Sequence, residues 1–269
     1  MPYKIVFSDI DGTLLNKDRE LSTGTITEIR KLKDEIPFIL ISARMPAAMR
    51  HLQKDLGIEE LPVICYNGGL IIANGTIVSS TEIPIEIAED LHNYNSEINC
   101  HISLYHKDEW YVPQMDQWAL REINNTKVTP VEKSGDEVLS DWKDRGLGVH
   151  KIMAMGEEEN IEKILSFLKS KYDDKLHLYR SKNTYIEIAP KQISKFSAIE
   201  FLLNNYFNLG VAEAVAFGDN YNDVEMLEKI GYGVAVENAR NEAKAVANAI
   251  AGKSTGDGVA QILRELFKK

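Results

Sequence analysis

The run Asp9-Ile10-Asp11-Gly12-Thr13-Leu14 sets two carboxylates one residue apart, directly behind the apolar stretch Tyr3 to Ser8 that reads as a buried strand. Two acids so placed can divide a hydrolysis between them. One attacks phosphorus and becomes an aspartyl phosphate, which splits a difficult displacement into two easier steps. The other protonates the leaving oxygen and later deprotonates the attacking water. Gly12 lets the backbone turn sharply and approach a substrate closely. The same residue types also make an ordinary turn, so this segment alone leaves both readings open.

A second acid-rich segment, Phe217-Gly218-Asp219-Asn220-Tyr221-Asn222-Asp223, follows the short apolar run Ala214 to Phe217. Its two carboxylates stand four residues apart, where a strand is expected to meet a helix. Clustered carboxylates repel one another and are costly to bury without a cation. A hard divalent ion resolves this, and Mg²⁺ suits a site that keeps several waters and a substrate phosphate. Glycine beside acids is also a plain turn signal. Two such segments, both at expected strand ends, favour chemistry over coincidence.

Elements that could position these residues alternate along the chain. Strands are expected at Tyr3 to Ser8, Phe38 to Ser42 and Pro62 to Tyr66, with helices after Ser22 and over Pro46 to Leu56. Asn74-Gly75 between Leu70-Ile71-Ile72-Ala73 and Thr76-Ile77-Val78 predicts a two-residue hairpin. Strands separated by helices imply crossovers, hence a parallel sheet. In such a sheet ligands bind outside the carboxyl ends of the strands.

The texture changes between about Ile83 and Glu187. All three tryptophans lie there, together with two expected helix-plus-hairpin groups and a loop-like Lys133-Ser134-Gly135-Asp136. This predicts an α+β insert. From Ser194 the α/β texture returns, with a helix to about Tyr206, a strand at Ala214 to Phe217, a helix through Met226, a strand at Tyr232 to Val236 and two final helices.

Four motifs taken in order give the chain a resemblance to the haloacid dehalogenase superfamily of phosphatases, in particular its Cof-type branch with a large cap. They are Asp9-Ile10-Asp11-Gly12-Thr13, Ile41-Ser42-Ala43-Arg44, Lys195 in Pro190-Lys191-Gln192-Ile193-Ser194-Lys195, and Gly218-Asp219-Asn220-Tyr221-Asn222-Asp223. Asn67-Gly68-Gly69 and Gly233-Val234-Ala235-Val236-Glu237-Asn238-Ala239 resemble that branch too. The resemblance implies an α/β fold: a Rossmann-like parallel-sheet core at 1–82 and 190–269, with an α+β cap inserted at 83–189. The cap would close over the cleft, exclude water and select the substrate.

The resemblance also implies roles. Asp9 would be the nucleophile and a metal ligand, and Asp11 the acid/base, lending its backbone carbonyl to the metal. Ile10, Ser42, the amide of Ala43, Lys195 and Asn222 would serve phosphate binding. Asp219 would complete the Mg²⁺ shell, with Asp223 orienting Lys195 or a metal-bound water. Two positions depart from the usual pattern: Ala43 stands where glycine is common, and Phe196 follows Lys195 in place of glycine. Lys191 is the rival of Lys195 for the ammonium role, and Arg44 could touch substrate or make a structural ion pair.

The 269 residues are 44% apolar and 27% charged, a composition that fits a globular protein. A net charge of −10 argues against nucleic acid or an anionic membrane as partner. It leaves room for an anionic small substrate, because a metal ion inverts the local field. The apolar run Ile5 to Phe7 is too short for a signal peptide or a membrane span, and Cys65 and Cys100 read as free thiols, so a cytoplasmic location is expected. The six histidines, His51, His92, His101, His106, His150 and His177, show no convincing ligand spacing and read as solvated or core residues. The expected activity is hydrolysis of small phosphate esters, sugar phosphates first. Transfer of the phosphoryl group to a sugar acceptor and a non-catalytic binding protein are the alternatives; a receiver-like signalling domain ranks last, because it would be far shorter. The oligomeric state is not legible in the sequence.

Overall fold

A computed structural model describes residues 2–32 and 34–268, so the expected bounds Met1 and Lys269 lie outside the described residues. The chain opens with β1 (Ile5–Ser8), α1 (Thr23–Leu32), β2 (Phe38–Ile41), α2 (Ala47–Leu56), β3 (Val63–Cys65), β4 (Leu70–Ala73) and β5 (Thr76–Ser80). Every residue of β1, β2 and β3 is buried, as expected of central parallel strands covered on both faces. Ser22 caps α1, its hydroxyl accepting from the Thr25 amide at 3.0 Å. Asn74 and Gly75 take φ of 51° and 69°, the left-handed pair that a tight hairpin between β4 and β5 requires.

Next come α3 (Ile85–Ile98), β6 (His101–His106), β7 (Glu109–Val112), α4 (Gln117–Thr126), β8 (Val131–Glu132), α5 (Gly135–Asp144), β9 (Lys151–Met155), α6 (Glu158–Tyr172), β10 (Leu176–Lys182) and β11 (Tyr185–Pro190). The chain finishes with α7 (Lys195–Leu202), β12 (Ala214–Gly218), α8 (Val224–Lys229), β13 (Tyr232–Val236), α9 (Asn241–Val246), β14 (Ala249–Ala251) and α10 (Gly258–Leu266).

Two compact units result. The first holds 1–44, 49–79 and 194–269; the second holds 45–48 and 80–193. The first unit's sheet runs β14-β13-β12-β1-β2-β3-β4-β5. It is parallel from β14 to β3 and turns antiparallel at β4. Strand β1 lies between β12 and β2, where the order of connection reverses, and this is the place where open α/β sheets bind ligands.

The second unit's sheet runs β10-β11-β9-β6-β7-β8. Ile102 and Leu104 of β6, Ile152 and Ala154 of β9, and Ile186 and Ile188 of β11 alternate onto one face. They pack there with Leu91 of α3, Trp142 of α5, and Ile164 and Leu168 of α6. Of the loop expected at 133–136, Lys133 and Ser134 lie outside any helix or strand, whereas Gly135 and Asp136 open α5. Ser134 accepts from the Glu137 amide and Glu137 reaches back to the Ser134 amide, a reciprocal cap that satisfies two orphan donors. The short strands β8 and β14, absent from the sequence reading, carry too few residues to show a pattern of their own.

Ile164 is fully buried in this second core. Ile164→Ala is expected to lower stability by about 2–5 kcal/mol. Trp110, Trp118 and Trp142 all lie in this unit, so tryptophan fluorescence in urea reads the change. A loss under about 1 kcal/mol would show that the site collapses around the cavity.

Candidate active site

Parallel pairing brings the two acid-rich segments together. Ser8 of β1 pairs with Phe217 of β12, and the Asp9 amide donates to the Phe217 carbonyl at 2.9 Å, so Asp9 and Asp219 emerge from neighbouring strand ends. Asp9 is buried, and one of its oxygens, Oδ1, is bound by the Lys195 ammonium. Lys195 Nζ also donates to Asp223 Oδ1 at 2.6 Å, both side chains being closed to solvent. The second oxygen of Asp223 accepts from the amides of Asp219 and Asn220, each at 2.9 Å. Thr13 Oγ1 donates to Asp219 Oδ1 at 2.9 Å.

Lys195 therefore meets Asp9, while its sequence rival Lys191 lies in the second unit with its amide bonded to the Lys175 carbonyl at 2.8 Å. Lys195 opens α7, capped by Ser194, whose hydroxyl accepts from the Ser197 amide at 3.1 Å. Phe196 leaves this helix start intact; its ring is buried beneath Lys229, whose ammonium sits 5.1 Å from the ring centroid.

The electrostatics are those of crowded acids. Burial, reinforced by Asp223 and Asp219, pushes the Asp9 carboxyl well above the usual range against the pull of Lys195. Burial and then Asp223 push Asp219 up to about 6. Burial disfavours the Lys195 ammonium, yet Asp223 and Asp9 outweigh it and hold Lys195 above its ordinary value. Carboxylate oxygens of Asp9, Asp219 and Asp223 lie within 4.8 Å of one another, so this cluster can hold a metal ion. With all three ionised, three negative charges face one ammonium. The excess of two matches a single divalent cation, and the all-oxygen donor set suits a hard one.

Gly12 makes this geometry possible, because at φ 85° a Cβ there would fall on Asp219 Oδ2. Ser42 follows β2, buried, its amide bonded to the Ile64 carbonyl at 3.0 Å. Ala43 keeps out of the left-handed region, so alanine replaces the usual glycine without strain. After β3 the residues Tyr66, Asn67 and Gly68 take φ of 53°, 56° and 106°, strained backbone of the kind that clusters at functional sites. There Asn67 Oδ1 accepts from Asn222 Nδ2 at 2.9 Å, giving the expected phosphate contact Asn222 a protein partner. Ile10 is fully buried.

Asp11 holds the feature that the sequence left open. Arg44 grips it in a fork, Nε to Oδ2 and Nη2 to Oδ1, both at 2.7 Å, and Arg19 Nη1 adds a bond to Oδ1 at 3.0 Å. Arg19, Thr13 and Asn238, whose amide donates to the Gly12 carbonyl at 2.7 Å, carried no assigned role in the sequence reading. For Asn238 the signal was its place inside the Gly233 to Ala239 motif.

Residues 6–263 match the family described as haloacid dehalogenase-like hydrolases. A Haemophilus influenzae protein assigned as a phosphatase is 34% identical over 273 residues, covering 99% of each chain. The 5-amino-6-(5-phospho-D-ribitylamino)uracil phosphatase of Bacillus subtilis is 28% identical, over 99% of this chain and 98% of its own. A haloacid dehalogenase-like hydrolase of Bacteroides thetaiotaomicron superposes with a TM-score of 0.90 at 26% identity, covering 98% of this chain and all of the other. Strand-end acids, the buried lysine and the full-length match agree, and the chain belongs to the haloacid dehalogenase-like hydrolase family.

Proposed function

We propose that this protein is a Mg²⁺-dependent phosphatase of small phosphorylated metabolites, sugar and sugar-alcohol phosphates first, acting through an aspartyl phosphate on Asp9. The observation that carries the reading is Asp9 itself: a buried carboxylate, oriented by Lys195 through one oxygen, inside an acid cluster two charges short of balance. The ribityl phosphate named for the Bacillus subtilis relative supports the substrate class. Asp9 and Asp219 would hold the ion with the Asp11 carbonyl, and bound there Mg²⁺ supplies positive charge against the nucleophile and the phosphoryl oxygens.

The residues do the rest. Asp9 attacks phosphorus as the bond to the leaving oxygen breaks, and Asp11 gives that oxygen its proton. Water then attacks the aspartyl phosphate, Asp11 takes its proton, and Asp9 and inorganic phosphate are released. Ser42, the Ala43 amide, Ile10, Asn222 and Lys195 hold the phosphoryl oxygens, a task of positioning and charge stabilisation. Asp223 fixes Lys195 from the far side. Both Asp11 oxygens are taken by guanidinium groups, so proton delivery requires the carboxyl to turn away from Arg44 and Arg19. The inserted 83–189 region selects the substrate in this reading.

Asp9→Asn is expected to abolish Mg²⁺-dependent phosphate release from a generic aryl phosphate while circular dichroism stays native; full activity would refute the nucleophile. Lys195→Met strips the counter-charge from two buried carboxylates and is expected to cost about 3–5 kcal/mol of stability along with activity. Unchanged thermal unfolding would contradict the ion-pair account. Chelation should silence the enzyme and Mg²⁺ restore it. Because Asp219 is pushed up to about 6, a proton competes with the ion as pH falls through that value. The Mg²⁺ needed for half-maximal rate should therefore be larger at about pH 5.5 than at about pH 7.5. An equal requirement at both would count against Asp219 as a ligand.

A further inference from the structure

The grip on Asp11 holds one cation more than a carboxylate needs. Arg44 alone fills both oxygens, through Nε to Oδ2 and Nη2 to Oδ1 at 2.7 Å each. Arg19 Nη1 then brings a second guanidinium to Oδ1 at 3.0 Å, so two positive charges face one negative. We propose that Arg19 is a substrate-binding residue, whose guanidinium leaves Asp11 for the phosphoryl oxygens of the incoming ester and so helps to free the carboxyl. This rests on the reading of Asp11 as the acid/base of a phosphatase.

The two arginines are built differently. Arg44 is buried and its backbone is tied, the amide donating to Ser42 Oγ at 3.3 Å and the carbonyl accepting from the Tyr66 amide at 3.1 Å. Its side chain is 6% exposed, against 39% for that of Arg19, so Arg19 is the one with room to swing. Among the described residues Asp11 alone bonds the Arg19 guanidinium, which leaves Nε and Nη2 to be given to a ligand. An exposed ion pair adds little stability, so holding Asp11 is a poor reason for a second cation there. The chain nevertheless builds a turn for it. The Asn16 amide donates to the Glu20 carbonyl at 2.9 Å, and the Arg19 amide to the Asn16 carbonyl at 3.1 Å. Asn16 Oδ1 accepts from the amides of Asp18 and Glu20 at 2.8 and 3.1 Å. Within this turn Arg19 takes φ of 61°, a left-handed conformation of the kind that clusters at ligand clamps.

Reach and charge both fit the phosphoryl group. In the proposed mechanism Asp11 serves the oxygen that bridges phosphorus and the leaving group, so a guanidinium in contact with Asp11 stands beside the phosphoryl oxygens. Lys195 already answers both Asp9 and Asp223, whereas the grip on Asp11 carries a surplus positive charge for the dianion. A guanidinium presents parallel N–H donors that match two phosphate oxygens, and such charge-assisted pairs are the strong ones. Exchanging one anion for another keeps Arg19 paired throughout, so no bare charge is created. A residue that only restrained Asp11 would act on proton delivery. A residue that binds phosphate also acts on inorganic phosphate, which has no leaving group to protonate.

The test uses the full-length chain in Mg²⁺, with an aryl phosphate as substrate and inorganic phosphate as competing ligand. Arg19→Ala is expected to raise KM and the inhibition constant of phosphate together, by about tenfold or more, with kcat changing less than either. Arg19→Lys should recover part of both, having the charge without the fork. Arg264→Ala removes a similarly exposed arginine, paired with Glu28, and should leave both constants in place. A phosphate constant unchanged in Arg19→Ala overturns the inference. So does an equal rise in Arg264→Ala, which would report net charge alone. If the unaltered chain turns over no ester, the phosphatase reading fails separately, and calorimetric titration with inorganic phosphate decides the role of Arg19. There, weaker binding by Arg19→Ala than by the unaltered chain supports it, and equal binding overturns it.

Discussion

Burying like charges is the constraint on which the first unit depends. Asp9, Asp219 and Asp223 crowd around a single ammonium, and an isolated buried carboxylate would protonate before it stayed charged. Each neighbouring feature follows from containing that cluster. Strands β1 and β12 must pair in parallel so that both acids leave the sheet at one place. Helix α7 must begin at Lys195 so that its ammonium reaches two acids at once. Position 12 must lack a side chain, and Thr13 must give Asp219 a hydroxyl. The amides of Asp219 and Asn220 hold Asp223, a carboxylate with no solvent to turn to.

The two acids proposed to react are treated asymmetrically. Asp9 is buried and its charge is expensive, which suits a nucleophile discharged by forming a bond to phosphorus. Asp11 is part exposed and clasped by two arginines, and in the proposed mechanism that clasp must open before the carboxyl can donate a proton. In the proposed mechanism, chemistry and proton transfer are thus governed by different contacts, although the two residues are separated by only Ile10.

Legibility in the sequence followed the distance between interacting residues. Asp9 with Asp11, and Asp219 with Asp223, are local patterns behind apolar runs, so composition and spacing exposed them. Asn74-Gly75 announced its turn because only a few residue types accept positive φ twice in succession. Lys195 needed the resemblance to favour it over Lys191, since nothing local separates the two. Helix α5 was hidden because Ser134-Gly135-Asp136 serves equally as loop and as cap. The Arg19 and Arg44 grip on Asp11 and the Asn67 to Asn222 bond are products of tertiary pairing. No spacing rule reports them.

Covalent phosphorylation of Asp9 is the claim on which the account turns. The most direct measurement is acid-quenched turnover of a labelled aryl phosphate by an Asp11→Asn variant, in which loss of the base stalls the second step. Peptide mapping is predicted to find phosphate on Asp9 as an acid-stable, alkali-labile acyl phosphate. Turnover with no labelled protein, or label confined to another residue, would contradict it.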